Sequence, residues 1–529
     1  MAIFTSNMSP AFILKLLAWP LLPVSTPRLP SDVFVLTNDQ YLLIRIIYNV
    51  FFHPLKHYPG PRIMAASRIP IFCLVLTGRS ATWLTRLHAA YGPVVRVAPN
   101  ELSYSSARAW KDIHSSTSAH PVGLPRDMAF FKALGDEKGA PTILSADNQD
   151  HARMRRVYAR AFSKQALAAQ EPIMLQYASM LIRKLCEESK QTAKPVDISK
   201  FLHLTLFDMM TDLQFGESFR LLDDPTYQAF ARASLVIIPG ATILSALVDF
   251  PLVRITLQPI VRRLLKIRHN YFTVTNERLD KRLASKAYRP DLVQFLTEAR
   301  ADSLSTAELR ANAPLISLAG SETTTVAING MIAHLLLTPH ILTQLQQEVR
   351  TKFRSSSDIT MKAMAGMPVL EACIKEALRV YPAIPIMPAR VVPSSGANIA
   401  GQWVAGGTRV YITSLAAFHS ADNFHNPEAF APERWYKTTE SEAAFKDDED
   451  AYKPFSIGPY NCVGQHMAPY LMSLMICHLA LHFDFEVSTD PRTWLSTQRS
   501  WIVCYNPALT VKLTPTKAVD CLTLGEGIR

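Results

Sequence analysis

From residue 151 onward, apolar residues recur over long stretches at the three- and four-residue spacing that is typical of amphipathic helices. This spacing predicts helices over 151–169, 172–190, 201–213, 259–288, 306–336, 340–354, 366–381 and 464–482. Residues 92–98 form a β-branched run, residues 389–413 a second strand cluster with glycine turns, and residues 498–512 alternate like a hairpin. The pattern predicts a mainly α protein with small β-sheets.

The first 57 residues differ from the rest of the chain. Two apolar stretches, 11–24 and 41–52, are interrupted by charged residues or prolines, so neither is the unbroken span of ~20 apolar residues that a transmembrane helix needs. They predict a weak anchor or an interfacial helix, and a soluble chain is the alternative. The prolines that follow prevent a continuing helix. We therefore expect a membrane-associated segment over 1–57 and one large domain over 58–529.

Composition narrows the class of protein. The chain has 529 residues, of which 48% are hydrophobic and 19% charged, which excludes a disordered chain. The 55 Lys and Arg exceed the 44 Asp and Glu, for a net charge of +11. No stretch interleaves basic residues with aromatic ones and no zinc-finger spacing occurs, so we expect no nucleic-acid partner. Seven cysteines without a C-x-x-C pair predict reduced, intracellular thiols.

One cysteine has a distinctive neighbourhood. Residues 454–464, PFSIGPYNCVG, form a loop rich in glycine and proline that places Cys462 just before an apolar helix. The amides and the dipole at a helix N-terminus stabilise an anionic sulfur, which is the form that ligates metals. Gly458 and Gly464 would let a flat ligand approach the backbone. Taken alone, the loop fits a metal-binding thiolate and an ordinary turn around a buried cysteine equally well.

This loop resembles the haem-binding signature of the cytochrome P-450 family, which Phe455, Gly458, Cys462 and Gly464 match. The resemblance implies that the cysteine is the axial iron ligand of haem b, with Phe455 and Gly464 around the cofactor. Tyr460 stands where the family usually has an Arg or His that donates to a haem propionate. A phenol offers one hydrogen bond without positive charge, so propionate binding by this residue is weakened.

A second part of the resemblance is a charged cluster. Glu376 and Arg379 are three residues apart on one face of a predicted helix, where an ion pair can form. By itself this spacing also fits a solvated surface pair. The segment 430–435, FAPERW, follows at the family's spacing. The resemblance implies that Arg434 completes a Glu-Arg-Arg cluster that locks the fold under the haem.

The middle of the predicted helix 306–336 carries the sequence AGSETT. Glycine inside a helix costs about 1 kcal/mol relative to alanine, and Ala319 with Gly320 would thin the helix wall beside a ligand. The segment resembles the family's oxygen-binding A-G-x-[DE]-T-T motif, which implies that Glu322 and Thr323 are the catalytic acid and alcohol that relay protons. Pro314 has no amide donor and predicts a kink or a start of the helix at that point.

Further resemblance to the fungal branch of the family extends over roughly residues 45–512. His151 and Arg155 occupy the place of the family's W-x-x-x-R, with His151 replacing Trp, and lie one helical turn apart. The resemblance implies that both residues, together with Arg390, bind the haem propionates. A surface histidine is the alternative for His151.

The reaction implied by the resemblance is oxidation of a lipophilic small molecule by a haem-thiolate monooxygenase of fungal secondary metabolism. Because the sequence shows no dinucleotide loop or flavin domain, electrons must come from a separate NADPH-cytochrome reductase, with cytochrome b5 as the alternative donor. The acidic face of such a partner would suit four basic residues, Arg153, Arg156, Lys164 and Lys453. The expected location is the endoplasmic reticulum membrane, on the cytosolic face, anchored by the N-terminus.

Substrate contacts are expected from an apolar stretch at 230–257, for which a membrane-contacting or core helix is the alternative. Other expected pocket walls are Phe130, Phe131, the helix face near Leu318, residues 383–386 and residues 501–503. Two rival functions remain open. The same haem chemistry would serve desaturation, ring closure or coupling without oxygen insertion, and a protein of another class would bind haem without turnover.

Overall fold

The computed structural model describes residues 38–516, except 118–119, 121, 136–139, 193, 286, 299–303, 437 and 506. The predicted apolar stretch 11–24 lies outside the described residues. Within them, the prediction of a mainly α protein with small β-sheets is confirmed.

The first half of the described chain is mostly helical. Its helices are α1 Asn38–Ile47, followed by the π-helical turn Tyr48–Phe52, α2 Arg62–Ala66, α3 Ile69–Thr77, α4 Ser80–Tyr91, α5 Ala107–His114, α6 Met128–Leu134, α7 Asn148–Ala161, α8 Lys164–Thr192, α9 Ile198–Phe215, α10 Gln228–Ser234, α11 Ile237–Ala246, α12 Pro251–Thr256, α13 Gln258–Ala284 and α14 Leu292–Thr297. Side chains at N-cap positions accept from the first free backbone amides, as Asp147 does from Asp150 at the start of α7.

The second half begins with the longest helix. Its helices are α15 Thr306–Leu337, α16 Pro339–Lys352, α17 Met361–Met364, α18 Pro368–Val380, α19 Ser414–Phe418, α20 Thr439–Ala444, α21 Met467–His482 and α22 Pro491–Ser496. A capping box between Ser305 and Glu308 starts α15, which therefore begins eight residues before Pro314 and runs through it. The hydroxyl of Tyr271 donates to the carbonyl of Pro314 over 3.2 Å. Pro314 does not start the helix.

The strands form small sheets beside the helices. They are β1 Val94–Ala98, β2 Glu101–Tyr104, β3 Val196–Asp197, β4 Arg390–Val391, β5 Ala397–Ile399, β6 Gln402–Val404, β7 Arg409–Ile412, β8 Phe483–Val487, β9 Arg499–Trp501, β10 Val503–Tyr505 and β11 Thr510–Pro515. One sheet has the order β1-β2-β7-β4, in which β2 and β7 are parallel and the other neighbours antiparallel. A second sheet has the order β3-β11-β8, and two hairpins are β5–β6 and β9–β10.

Two local predictions are wrong. The break between the predicted helices 151–169 and 172–190 falls at residues 162–163 instead, and Pro172 lies inside α8. The side chain of Ser163 accepts from the amide of Ala166, so a polar cap near the helix start outweighs the proline signal. The predicted hairpin 498–512 is also shorter than expected. Its second half belongs to β11, which pairs with β8 and β3 because its alternating apolar side chains are buried there.

The main core surrounds α15, which packs against α9, α13, α18, α21 and α22. Burial of nearly every α15 side chain gives this helix its stability, since burying a large apolar side chain is worth about 1.5–3 kcal/mol. Among the described residues, the stretch Pro225–Asp249 is long and apolar enough to cross a membrane, and 44% of its most apolar window is buried. The fold packs the buried helix α15 against α21, the helix that follows the cysteine loop.

Candidate active site

The cysteine loop is closed by backbone hydrogen bonds. The amide of Cys462 donates to the carbonyl of Phe455 over 2.9 Å, and the amide of Asn461 donates to Gly458 over 3.1 Å. Gly458 has a φ of +76°, and a Cβ there would lie 2.0 Å from the carbonyl oxygen of His114. Only glycine fits this position. The loop therefore presents one side chain, that of Cys462, immediately before the buried helix α21.

The thiol of Cys462 reaches accessible space although protein surrounds it. Burial raises the pKa of the thiol, while the backbone amide of Gly464 and the positive charge of Arg155 act to lower it. A Cβ on Gly464 would lie 3.8 Å from the sulfur, so the loop leaves this side of the thiol open. Burial is the largest of these effects, so the pKa of the free thiol lies above its ordinary value of 9.0. The amide and the cation act in favour of the thiolate, which is the form that ligates a metal.

The facing helix exposes a short stripe. Between residues 311 and 333 of α15 every residue is buried except Ala319, Gly320 and Thr323. Since α15 packs on α21, which begins just after the cysteine loop, we infer that this stripe and the thiol line one cleft. The hydroxyl of Thr323 donates to the carbonyl of Ala319 over 2.6 Å. Its oxygen can still accept a hydrogen bond from a donor in the cleft.

Gly320 also has a packing role that sequence reasoning missed. A Cβ at this position would lie 2.5 Å from the Cε of Met210 in α9. The missing side chain lets α9 pack closely on α15. This packing role is additional to any space that the glycine leaves for a ligand. The assignment of Gly320 to the cofactor remains a prediction.

Glu322 points away from the stripe, into the core beside α10. Its Oε1 lies 3.3 Å from the hydroxyl oxygen of Ser234, which itself lies 2.7 Å from the carbonyl of Ala231. The hydroxyl of Ser234 donates toward both the carbonyl of Ala231 and Glu322, and the contact to the carbonyl is the shorter one. Burial raises the pKa of Glu322 to about 8, against the lowering effect of the Ser234 hydrogen bond. Glu322 is therefore mostly neutral at pH 7.

We expect the efficiency of oxidation to fall as the pH rises through about 8, where Glu322 loses its proton. The folded-state pKa lies above the ordinary value of 4.5, so the folded protein binds this proton more tightly than the unfolded chain. Glu322 therefore lowers stability progressively between pH 4.5 and about 8. The measurement is product formed per NADPH consumed against pH, for the wild type and Glu322→Gln. An unchanged alkaline limb in Glu322→Gln would remove this assignment.

A cationic cluster lies beside the cysteine loop. The Tyr460 ring packs 4.1 Å from the His151 ring, and the guanidinium groups of Arg126 and Arg390 lie 4.1 Å and 4.8 Å from its centre. The Tyr460 hydroxyl donates to Asn148 over 2.6 Å. The structure therefore brings together three of the predicted propionate-binding residues, namely His151, Arg390 and Tyr460, and adds Arg126.

This cluster has no counter-charge within the described residues. Arg126, Arg155 and Arg390 form no ion pair with a carboxylate there, and burial lowers the pKa of each guanidinium. Burial and the three arginines lower the pKa of His151 to about 4, so its imidazole is neutral at pH 7. Buried cations without a partner are costly, so this set of donors requires an anion. The two carboxylates of a haem fit this requirement.

Arg155 contacts the cysteine loop directly. Its two terminal nitrogens donate to the backbone and side-chain oxygens of Asn461, each over 2.6 Å, and one of them lies 3.4 Å from the Cys462 carbonyl. These contacts hold the loop against α7. A role for Arg155 at a propionate remains a prediction.

Beneath this site, a buried network joins the segments that the sequence analysis paired. Glu376 accepts from Arg379 over 2.7 and 2.9 Å and from Arg434 over 3.1 Å, and all three side chains are fully buried. The indole N–H of Trp435 also donates to Glu376 over 2.9 Å, and Arg434 donates to Asp447 over 2.6 Å. The structure thus brings Glu376, Arg379 and Arg434 together, with Trp435 as an additional donor, and their role under the haem stays a prediction.

The comparisons with known proteins agree with this arrangement. A family model described as cytochrome P-450 matches residues 65–513. The chain belongs to the cytochrome P-450 family. It is 40% identical over 488 residues, or 91% of both chains, to cytochrome P-450 monooxygenase aneG of Aspergillus aculeatus. Averantin hydroxylase of Dothistroma septosporum is 35% identical over 484 residues, covering 90% of this chain and 89% of the relative. Cytochrome P-450 monooxygenase stcF of Emericella nidulans is 36% identical over 480 residues, 89% of this chain and 97% of the relative.

Membership in the P-450 family confirms several predictions. The protein is a haem-thiolate monooxygenase of the type found in fungal secondary metabolism, with an axial cysteine on the haem iron. Such enzymes act on small molecules and need a redox partner. The alternative of a haem-binding protein without turnover is thereby excluded.

Sequence reasoning missed three residues of this site. Trp435 follows Arg434 directly in the FAPERW segment, and this proximity was the signal that could have identified it. Arg126 and Ser234 belong to no motif. They reach the site through contacts between segments that are far apart in the chain. Arg126 is 334 residues from Tyr460, and Ser234 is 88 residues from Glu322.

Proposed function

We propose that this P-450 hydroxylates or otherwise oxidises a neutral, lipophilic intermediate of fungal secondary metabolism. The observation that carries the proposal is the cationic cluster beside the Cys462 loop, which suits haem propionates; the accessible stripe of α15 is inferred to line the same cleft. A relative named a hydroxylase supports hydroxylation over other outcomes. A terpenoid, polyketide or alkaloid remains the expected substrate class. Desaturation, ring closure or coupling without oxygen insertion is the alternative.

A pocket between α3, α11 and the β9–β10 hairpin, whose described lining includes neither Cys462 nor a residue of α15, is proposed as an entry for an apolar substrate. Four of the residues expected from the sequence as pocket walls line it, namely Phe130, Ile386, Trp501 and Ile502. The predicted apolar stretch 230–257 contributes one side through α11. The pocket therefore combines aromatic and aliphatic walls, as pockets for lipophilic ligands do.

Charged residues at this pocket pair with each other. Arg68 contacts Glu101 and Asp249 over 2.7 and 3.2 Å, and Arg409 contacts Asp127 and Asp249 over 2.8 Å each. Because each guanidinium already has two carboxylate partners, the described lining residues offer no free cation to an anionic substrate. This pairing favours a neutral substrate over a carboxylate.

Each residue has a separate task in this proposal. The haem supplies the activation of dioxygen when bound, and Cys462 ligates its iron while Phe455 and Gly464 shape the loop around the sulfur. The small residues Ala319 and Gly320 thin the wall of α15 beside the ligand. Thr323 is the alcohol proposed to relay protons at the stripe, and Glu322 is the proposed acid, held in the core behind it. The residues proposed to bind the propionates are His151, Arg155, Arg390 and Tyr460.

An NADPH-cytochrome reductase, with cytochrome b5 as the alternative, is the proposed redox partner. Of the basic residues expected to dock it, Arg156 and Lys164 are exposed. Arg153 instead pairs with Asp150 over 3.0 Å and with Glu308, and Lys453 lies 3.3 Å from Asp450. Ion pairing reduces the charge that Arg153 and Lys453 present to a partner.

Exposed apolar side chains support association with a membrane surface. In α1 and the turn after it, Leu43 and Phe52 are more than half exposed, and so are Leu252 and Ile255 of α12. Large apolar side chains exposed in groups mark contact surfaces. We propose that residues 1–57 anchor the domain 58–529 to the cytosolic face of the endoplasmic reticulum membrane.

The test of this function combines a spectrum with product analysis. The reduced holoenzyme should give the CO-difference spectrum of a haem thiolate, and neutral lipophilic candidates should shift the ferric spectrum on binding. With reductase, NADPH and isotopically labelled dioxygen, we expect the label in the product. Turnover to a product without label would establish the alternative chemistry, and a reduced protein without a thiolate-type spectrum would reject the proposal.

A further inference from the structure

A buried hydroxyl from outside α15 contacts the proposed acid Glu322. Ser234, the last residue of α10, is fully buried, and its Oγ lies 3.3 Å from Oε1 of Glu322. Glu322 is itself buried, and the part of the chain that the structure describes shows no ion pair to its carboxyl. A carboxylate in such surroundings is costly unless hydrogen bonds compensate its charge. Ser234 is therefore placed to influence how easily Glu322 gives up its proton.

The hydroxyl of Ser234 has one hydrogen and two acceptors. It donates to the carbonyl of Ala231 over 2.7 Å and to Glu322 over the longer distance. The same carbonyl lies 3.4 Å from Nε2 of His203 in α9. Burial lowers the pKa of His203 to about 4, so its imidazole is neutral at pH 7, and a neutral imidazole donates to a carbonyl through its N–H. The carbonyl of Ala231 thus keeps a donor when the Ser234 hydroxyl turns toward Glu322.

The elements packed around α10 bring few other titratable groups to this contact. Tyr271 of α13 is fully buried, and its hydroxyl donates to the carbonyl of Pro314 over 3.2 Å. Burial, followed by the charge of Glu322, raises the pKa of Tyr271, so the phenol stays neutral. The helix α11 has no titratable residue, and Arg232 of α10 is exposed to solvent. The donor that can respond when Glu322 ionises is therefore Ser234.

We propose that Ser234 is a positioning residue for the acid Glu322. Its hydroxyl holds the neutral carboxyl in the core and donates fully to the carboxylate that remains when the proton leaves. The hydroxyl oxygen of Thr323 accepts that proton and passes its own hydrogen into the cleft, and a proton from water restores the acid. The inference rests on the proton-supplying role proposed above for Glu322.

This arrangement also links the acid to the segment proposed to contact the substrate. Ser234 lies in the apolar stretch 230–257, three residues before α11, which lines the entry pocket. The partner of the acid is thus carried by a different element from the acid itself, and no motif of the sequence contains it.

The experiment follows the ionisation of Glu322 directly, by infrared difference spectroscopy of the purified holoenzyme titrated across neutral and alkaline pH. The carbonyl band of a protonated carboxyl that is absent in Glu322→Gln identifies this residue. Ser234→Ala removes the hydroxyl, Ser234→Cys keeps its shape with a weak donor, and Ser234→Thr restores the donor. The matched control is Ser317→Ala, because Ser317 is a fully buried serine of α15 whose hydroxyl donates to Ala313 over 3.2 Å. Circular dichroism and haem content establish that each protein is folded.

We expect Ser234→Ala to raise the midpoint of the Glu322 titration by about one pH unit, since the carboxylate loses more than the neutral acid when the donor is removed. Ser234→Cys should shift it less, in the same direction, and Ser234→Thr and Ser317→Ala should leave it unchanged. The alkaline limit of product formed per NADPH should move by the same amount, measured with the lipophilic compound that gives the largest ferric spectral shift. In the Glu322→Gln background, Ser234→Ala should have no effect on this limit.

A packing role for Ser234 alone predicts a different result. The midpoint would then be the same in Ser234→Ala as in the wild type, or it would shift equally in Ser234→Ala and Ser234→Thr, and either result would overturn the inference. If Ser234→Ala does not accumulate as a folded protein, Ser234→Cys decides the question because it conserves the volume. If Glu322→Gln removes no carbonyl band or leaves the alkaline limit unchanged, the proposed role of Glu322 fails instead, so the two failures are distinguishable.

Discussion

Replacing Cys462 by serine is expected to abolish the thiolate-type CO-difference spectrum and monooxygenase turnover. The closed loop holds one cysteine, Cys462, whose sulfur is inferred to share a cleft with the accessible stripe of α15. A hydroxyl is a poor metal ligand at neutral pH, since it is not deprotonated as a thiol is. Removing an outer partner of a metal ligand usually costs about 10- to 100-fold in activity or metal affinity. Loss of the ligand itself should cost more. The CO-difference spectrum and NADPH-dependent product formation provide the measurement.

Cys73→Ser is the matched control for this variant. Cys73 is a half-buried cysteine in α3, on a segment that contributes nothing to the loop before α21. Its replacement by serine should leave the spectrum and the turnover intact. Persistence of a thiolate-type spectrum in Cys462→Ser would show that another cysteine ligates the iron and would remove the basis of the site.

Glu376→Gln is expected to destabilise the protein severely. Glu376 is fully buried and compensates two buried guanidinium groups, those of Arg379 and Arg434. Removing one partner of a buried ion pair costs about 3–5 kcal/mol because a charge is left uncompensated. A folded protein is stable by only about 5–15 kcal/mol, so this loss should prevent accumulation of holoenzyme. Urea unfolding followed by circular dichroism, together with haem content, measures the effect.

Asp280→Asn offers the corresponding surface control. Asp280 pairs with Arg310 over 2.9 Å in an exposed ion pair, and solvent screening makes the loss of such a pair small. Equal stability losses in Glu376→Gln and Asp280→Asn would contradict the structural role of the buried network. The contrast also separates the effect of charge removal from that of burial.

Local signals in the sequence accounted for the elements that depend on neighbouring residues. The Cys462 loop, the Glu322–Thr323 pair and the spacing of Glu376 and Arg379 are each set within a few residues, so they could be recognised directly. Helix positions followed from periodicity. The break at residues 162–163 depended on whether the polar cap at Ser163 or the proline at residue 172 was the stronger helix-end signal.

Contacts between distant segments could not be predicted in this way. Arg153 was expected at a docking surface, but Glu308, 155 residues later, pairs with it. Ser234 meets Glu322 only because folding brings α10 beside α15. Burial raises the pKa of the acid, and the hydrogen bond from Ser234 opposes that shift. Electrostatic and hydrogen-bonding environments of this kind depend on distances that no linear spacing encodes.

By itself, the sequence determined the family, the axial ligand and the mainly helical architecture, because motifs and periodicity express short-range geometry. Only the tertiary structure decided where charge and protons reside. It showed that Tyr460 lies beneath an arginine from residue 126, that Arg155 braces the cysteine loop, and that Glu322 is a neutral acid. The physical reason is that the cost of a buried charge depends on every group around it, and folding brings those groups together from across the chain.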